Sequence, residues 1–308
     1  MALIAVYFFW GTTYLAIRIA LESFSPLILI AGRFLLSGLI MVVAAKAMKI
    51  ALPVGRELWL TALYGVIVLG GGNGCLVFAE QHVPSGLAAP LLVTAPFWMV
   101  GLSAAFPGGE RIHLPTLGGI LVGFTGVVLL FAPGGTETTI NKELVTGFLI
   151  LQLGCFLWCF GALLQKRQPT KAHPVVSGAV QQLATGLAFC VPALLIPQPP
   201  IHWSAKGAWA ALWLVFFGSI VGYSAFIYAM ENLPVAIVST YNYVNPIVAL
   251  CLGWLVYGEH FGAREAAAMV IIFLGVTIVK WTTRPKPAIP SPEPLPPELH
   301  QQRQSGSS

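Results

Sequence analysis

No aspartate occurs in this 308-residue chain; all eleven acidic residues are glutamate. Charged side chains of both signs make up 9% of it, against about 25% in an average soluble domain. With 57% hydrophobic residues and a mean hydropathy of +0.82, one soluble domain could not cover its apolar residues with polar surface. The chain reads as an all-α integral membrane protein. No glutamate falls in the middle of a long apolar run: Glu80 and Glu231 lie near the ends of such runs, and Glu110 and Glu259 at loops. The intramembrane carboxylate that usually carries a coupling proton is therefore not expected. His-Glu-x-x-His and Gly-x-Ser-x-Gly are missing, which argues against an intramembrane enzyme. The five cysteines, Cys75, Cys155, Cys159, Cys190 and Cys251, all sit in apolar stretches and imply no disulfide framework. Cys155 and Cys159 are one helical turn apart, but with no histidine or carboxylate nearby they read as small buried side chains, and no metal or cofactor is expected. The net charge of +5 is scattered singly over short loops, so nucleic acid is not an expected partner. No charged leader precedes the first apolar run, which is read as retained in the mature protein.

What is present is long apolar runs. About 20 mostly apolar residues cross a bilayer, and ten runs qualify: 2–21, 26–47, 57–80, 85–106, 114–132, 145–167, 174–196, 207–230, 235–257 and 263–282. Pro26, Pro115, Pro174 and Pro234 mark helix starts, where a missing N–H is harmless. The chain also contains itself twice. Slid forward by 148 to 150 positions, Trp10 falls on Trp158, Gly38-Leu39 on Gly186-Leu187, Pro84 and Pro96 on Pro234 and Pro246, and Gly109-Glu110 on Gly258-Glu259. Residues 1–132 and 145–282 are thus two five-helix repeats, joined by a 133–144 linker and followed by a proline-rich 283–308 tail expected to be disordered. With the N-terminus inside, eleven lysines and arginines fall in cytoplasmic segments and four outside, so both termini are expected in the cytoplasm. Five spans per repeat then force the copies to point opposite ways, an inverted pair of the kind that builds transporters.

The block Leu233 to Leu250 leading to Gly258-Glu259, its partner from Val83-Pro84 through Ala95-Pro96 to Gly109-Glu110, and the opening Phe9-Trp10-Gly11-Thr12-Thr13-Tyr14 together resemble the drug/metabolite transporter superfamily in its ten-helix EamA branch. Within that branch the chain is most similar to the exporters of aromatic amino acids and methyl viologen, over roughly residues 2–282. The resemblance implies a bacterial inner-membrane exporter, working by alternating access around a central cavity. Spans 1–4 and 6–9 would line the path, and spans 5 and 10 would hold the halves together. Gly118, Gly119, Gly123 and Gly126 suit that close helix contact. The expected partners are a small-molecule cargo and the bilayer, with the protein acting as a monomer.

The candidate cargo-binding residues are Trp10, Arg33, Asn73, Phe78, Trp98, Trp158, Gln181, Tyr223, Tyr228, Tyr241 and Asn245. A charge at mid-span costs roughly 2.5–3.5 kcal/mol, so Arg33 either meets a cargo carboxylate or bonds backbone carbonyls or snorkels to the interface. Its repeat partner is Gln181, beside Gln182. Asn73 lies in Gly70-Gly71-Gly72-Asn73-Gly74, which lacks the Gly-Lys-Ser/Thr of a phosphate loop and reads as a bend or interruption lining a cavity; it aligns with Tyr223, and Phe78 with Tyr228. Tyr241 and Asn245 precede Pro246, whose counterpart is Pro96, and the two prolines are expected to kink spans four and nine as gates. Aromatic walls at Trp10, Trp158 and Trp98 would stack on flat side chains or attract an organic cation. Uncoupled export of aromatic and other neutral amino acids is the leading reading; a drug or nucleotide-sugar cargo, or a channel, remains open.

Overall fold

The computed structural model describes residues 1–107, 112–131, 142–168, 172–233, 241–258 and 262–282. Gly109-Glu110, Pro234, Glu259, most of the 133–144 linker and the 283–308 tail lie outside them. Every regular element among the described residues is helical. Helix α1 spans Ala2–Leu21 and α2 Pro26–Ala47. Helix α3 runs Gly55–Ala79 with a π-helical middle, Val66–Asn73. Helix α4 has two pieces, Ser85–Leu92 and Ala95–Ala105. Then come α5 (Leu114–Phe131), α6 (Lys142–Arg167) and α7 (Pro174–Leu195). Helix α8 joins Ala205–Trp213, a second π-helical stretch Leu214–Val221, and Gly222–Asn232. Helices α9 (Tyr241–Tyr257) and α10 (Ala263–Thr282) complete the described chain. Pro26 and Pro174 are the first residues of α2 and α7, where no intrahelical bond is lost.

Eight stretches are long and apolar enough to cross a membrane: α1, α2, α3, α6, α7, α10, Leu87–Ala105 within α4 and Ala205–Phe226 within α8. The apolar parts of α5 and α9, Leu114–Leu129 and Val244–Tyr257, are shorter, because the runs read for them in the sequence extend into residues outside the described set.

The glycine run in α3 does not interrupt the helix as the sequence reading allowed; it widens it. An amide left unbonded in a bilayer costs several kcal/mol, whereas π turns keep the chain bonded while letting it bulge. The second π stretch sits 148 residues further on, from Val66 to Leu214. In α4 the helix does break, at Val93-Thr94, just before Pro96. Pro96 has no N–H to give to the Leu92 carbonyl. Helix α6 supplies substitutes: Gln152 Nε2 donates to Leu91 O at 3.4 Å, Cys155 Sγ to Leu92 O at 3.9 Å, and Cys159 Sγ to Ala95 O at 3.2 Å. The cysteine pair thus shares a face, and that face is turned to the break in α4. Helix α9, by contrast, runs on through Pro246.

The two largest helix interfaces pair α2 with α7 and α5 with α10. Helix α1 lies on α8 and α9, and α6 lies on α3 and α4. The first helix of each repeat therefore packs on the third and fourth helices of the other. Glycine permits the closest crossings. A Cβ at Gly38 of α2 would fall 2.5 Å from the Leu183 backbone nitrogen of α7, and one at Gly126 of α5 would fall 2.8 Å from the Ala268 carbonyl oxygen of α10. Neither neighbour can yield, because both atoms are backbone. Gly38→Val is expected to cost about 1–3 kcal/mol by overpacking, read as a lower unfolding temperature in detergent.

Candidate functional site

Between the halves lies a cavity of about 150 Å3, a volume that admits a benzene ring. Its lining comes from α1, α2, α3, α4, α6, α7, α8 and α9. From α3 the stripe Leu69, Gly72, Asn73 and Leu76 faces inward, the i, i+3, i+4, i+7 spacing of one helix face.

The first helix of each repeat brings a tryptophan to this space, and each indole rests on a glycine of the other repeat. A Cβ at Gly72 of α3 would lie 2.9 Å from Cε3 of Trp158, and one at Gly222 of α8 would lie 2.7 Å from Nε1 of Trp10. Trp10 Nε1 donates to the Gly218 carbonyl at 3.2 Å. Trp10, Phe226 and Tyr241 form an aromatic corner: Tyr241 meets Trp10 edge-on at 5.3 Å, and Phe226 lies 5.0 Å from Trp10. Tyr241 thus sets its ring nearly perpendicular to both of the others, edge to face, while Phe226 is tilted by 32° from Trp10.

The polar side of the cavity is built around Arg33, which is 7% exposed. Its Nε donates to Ser219 Oγ of α8 at 2.8 Å, and its guanidinium lies 5.0 Å from the Phe34 ring. Its Nη1 is buried and has no hydrogen-bond partner among the described residues. Asn245 of α9, 4% exposed, likewise holds its Oδ1 buried and unpartnered among them. Glu80, at the end of α3 and 4% exposed, acts electrostatically on both Arg33 and Tyr14, which eases the burial of the guanidinium. It does not itself line the cavity, and among the described residues no carboxylate does.

Of the sequence-derived candidates, Trp10, Arg33, Asn73, Trp158, Tyr223, Tyr241 and Asn245 line the cavity. Phe78, Trp98, Gln181 and Tyr228 do not. Phe78 and Tyr228 each lie five residues beyond an inward-facing partner, Asn73 and Tyr223, which turns them about 140° round the helix; Phe78 packs on the core and Tyr228 is 61% exposed. Trp98 donates its Nε1 to Gln152 Oε1 at 3.0 Å, beside the break in α4. Gln181 is buried behind the wall and accepts the Tyr223 hydroxyl at 2.9 Å, holding that ring in place. Its neighbour Gln182 lines the cavity instead and accepts from Ser37 at 2.5 Å, tying α7 to α2. Sequence reasoning passed over Thr13, Tyr14, Phe34, Gln182 and Ser219. Tyr14, one turn after Trp10, was findable from helical spacing; Ser219 carries no signal until Arg33 is seen beside it.

The chain matches the EamA-like transporter family over residues 1–132 and 145–281. It is 32% identical to the "Uncharacterized inner membrane transporter YedA" of Escherichia coli, over 90% of this chain and 89% of that one. A "Probable terminal-alkyne amino-acid exporter" of Streptantibioticus cattleyicolor is 27% identical, covering 84% and 85%. A "Probable amino-acid metabolite efflux pump" of Salmonella typhimurium is 26% identical, covering 87% and 90%. A solved crystal structure superposes with a TM-score of 0.65 at 20% identity, over 92% of this chain and 96% of that chain, a likeness of fold.

Proposed function

This chain belongs to the EamA-like transporter family, and from that premise we propose that it exports small neutral amino acids, aromatic ones above all, across a bacterial inner membrane. In this reading ten helices cross the bilayer as two inverted repeats with both termini cytoplasmic, and the cavity opens alternately to either side. The observation that carries the cargo is Arg33. A buried guanidinium with an unpartnered Nη1 in a cavity walled by Trp10, Trp158, Tyr223 and Tyr241 fits a carboxylate attached to a flat side chain. The names of two relatives, an amino-acid metabolite efflux pump and an amino-acid exporter, point the same way. An organic cation fits less well, since the same guanidinium repels it, and a nucleotide sugar exceeds the space. The matched π stretches and the broken α4 favour a moving carrier over a fixed pore.

Uncoupled transport is the mechanism the charge placement favours, because none of the described residues that line the cavity is a carboxylate able to carry a proton. Counterflow in proteoliposomes tests both parts. Vesicles loaded with unlabelled phenylalanine, in the absence of any ion gradient, are expected to accumulate external labelled phenylalanine transiently, and Trp158→Ala is expected to remove that accumulation. Flux that appears only under an imposed pH gradient, and vanishes in Glu80→Gln, would replace the uncoupled mechanism with proton coupling. No flux under either condition from folded protein would remove amino acids as cargo.

A further inference from the structure

Two residues that line the cavity each carry a buried polar atom with no hydrogen-bond partner among the described residues: Nη1 of Arg33 and Oδ1 of Asn245. One is a charged donor and the other a neutral acceptor. Buried side-chain atoms are nearly always paired, and an unpaired one costs about 1–3 kcal/mol, more when charged. They come from different repeats: Arg33 from α2 in residues 1–132, Asn245 from α9 in residues 145–281. They also sit in different settings. Arg33 is flanked by Ser219, which satisfies its Nε, and by Phe34 under its plane. Asn245 follows Tyr241 by one helical turn, and the Tyr241 ring belongs to the aromatic corner with Trp10.

Resting on the reading of the chain as an amino-acid exporter, we propose that the cavity recognises a zwitterion as such. Arg33 Nη1 takes the cargo's carboxylate, Asn245 Oδ1 takes its ammonium, and the side chain lies among Trp10, Trp158 and Tyr223. The cargo thereby bridges the two repeats, and a molecule with only one of its two charged groups ties to one repeat and leaves the other atom unsatisfied. A site built to hydrogen-bond a group rejects the analogue that lacks it strongly, because its own buried atom stays unpaired. Alternate closure would then require both charges, while the side chain sets only how well the aromatic wall is filled.

The test compares phenylalanine with 3-phenylpropionate, which lacks the ammonium, and 2-phenylethylamine, which lacks the carboxylate. Binding is read as the ligand-induced rise in unfolding temperature of the purified wild-type protein, and exchange as counterflow of labelled alanine, leucine and phenylalanine. Phenylalanine is expected to bind about tenfold or more tighter than either analogue. Arg33→Gln is expected to weaken phenylalanine about tenfold and 2-phenylethylamine less than about twofold, and Asn245→Leu to spare 3-phenylpropionate in the same way. The wild-type comparison decides the matter even where a variant fails to fold. Either analogue binding as tightly as phenylalanine, or both variants weakening all three probes equally, overturns the zwitterion site while export of amino acids stands. Absence of exchange for every amino acid, from protein that unfolds cooperatively, removes the export reading and this inference with it.

Discussion

Arg33→Met is expected to lower phenylalanine exchange about ten- to a hundredfold while changing the protein's stability far less. The two effects separate because the guanidinium is costly to bury and the protein satisfies only part of it. Placing arginine inside a span costs roughly 2.5–3.5 kcal/mol. The structure returns one good hydrogen bond, to Ser219, worth on the order of 1.5–3 kcal/mol for a charged group, and an electrostatic contribution from Glu80. Nη1 gains nothing among the described residues. Methionine fills a similar volume and removes the desolvation, which offsets the lost Ser219 bond and the lost cation acting on buried Glu80; the apolar replacements that stabilise remove every member of a buried charge group, and here Glu80 stays. The lost charged contact to a carboxylate accounts for the transport defect. Thermal unfolding and counterflow on the same preparation check the pair of outcomes. A variant that unfolds several degrees earlier would mean that Arg33 is chiefly structural.

Gly72→Val should be nearly as damaging, by a different route. A Cβ there would stand 2.9 Å from Cε3 and 3.2 Å from Cβ of Trp158, and valine adds two methyl groups beyond it. On its other side α3 is backed by α7, where a Cβ at Gly65 would collide with Gln181 Cα, so α3 cannot simply withdraw from α6. The indole must swing into a cavity of only about 150 Å3. The expected result is loss of exchange together with about 1–3 kcal/mol of destabilisation from overpacking. Adding Trp158→Phe to Gly72→Val should recover most of the stability, because contacting residues couple by about 0.5–3 kcal/mol. Independent, additive effects of the two substitutions would show that the indole does not rest on Gly72.

The internal offset made the pairs legible: Trp10 with Trp158, Gly38 with Gly186, Asn73 with Tyr223. Hydropathy located the helices, with α2 starting at Pro26 as read. What it could not convey was partnership. That Trp158 rests on Gly72, and not on its own repeat's Gly222, depends on which helices pack across the molecule, and periodicity along one helix is silent about that. Phe78 and Tyr228 were chosen because they align with each other, but alignment preserves a residue's place along the helix without saying which way it faces. The five-residue step from Asn73 and Tyr223 turns both away. Gln181 was chosen over Gln182 for the same reason, since only α7's packing on α2 decides which of two adjacent amides looks inward. Glu80 was read as a span-end residue, which it is; its burial and its electrostatic reach to Arg33 and Tyr14 required the fold.

The exchange of first helices between repeats has a consequence for biogenesis. Helix α1 leaves the ribosome well before the helices it packs on, α8 and α9, which begin at residues 205 and 241. At about 5–20 residues per second, α1 waits on the order of ten to forty seconds in the bilayer before a partner arrives. During that interval Trp10 has no Gly222 beneath it and the aromatic corner does not exist. A nascent chain stalled before α8 therefore exposes an unmatched α1, and half of this protein made alone would have to find α8 and α9 on a separately made second half.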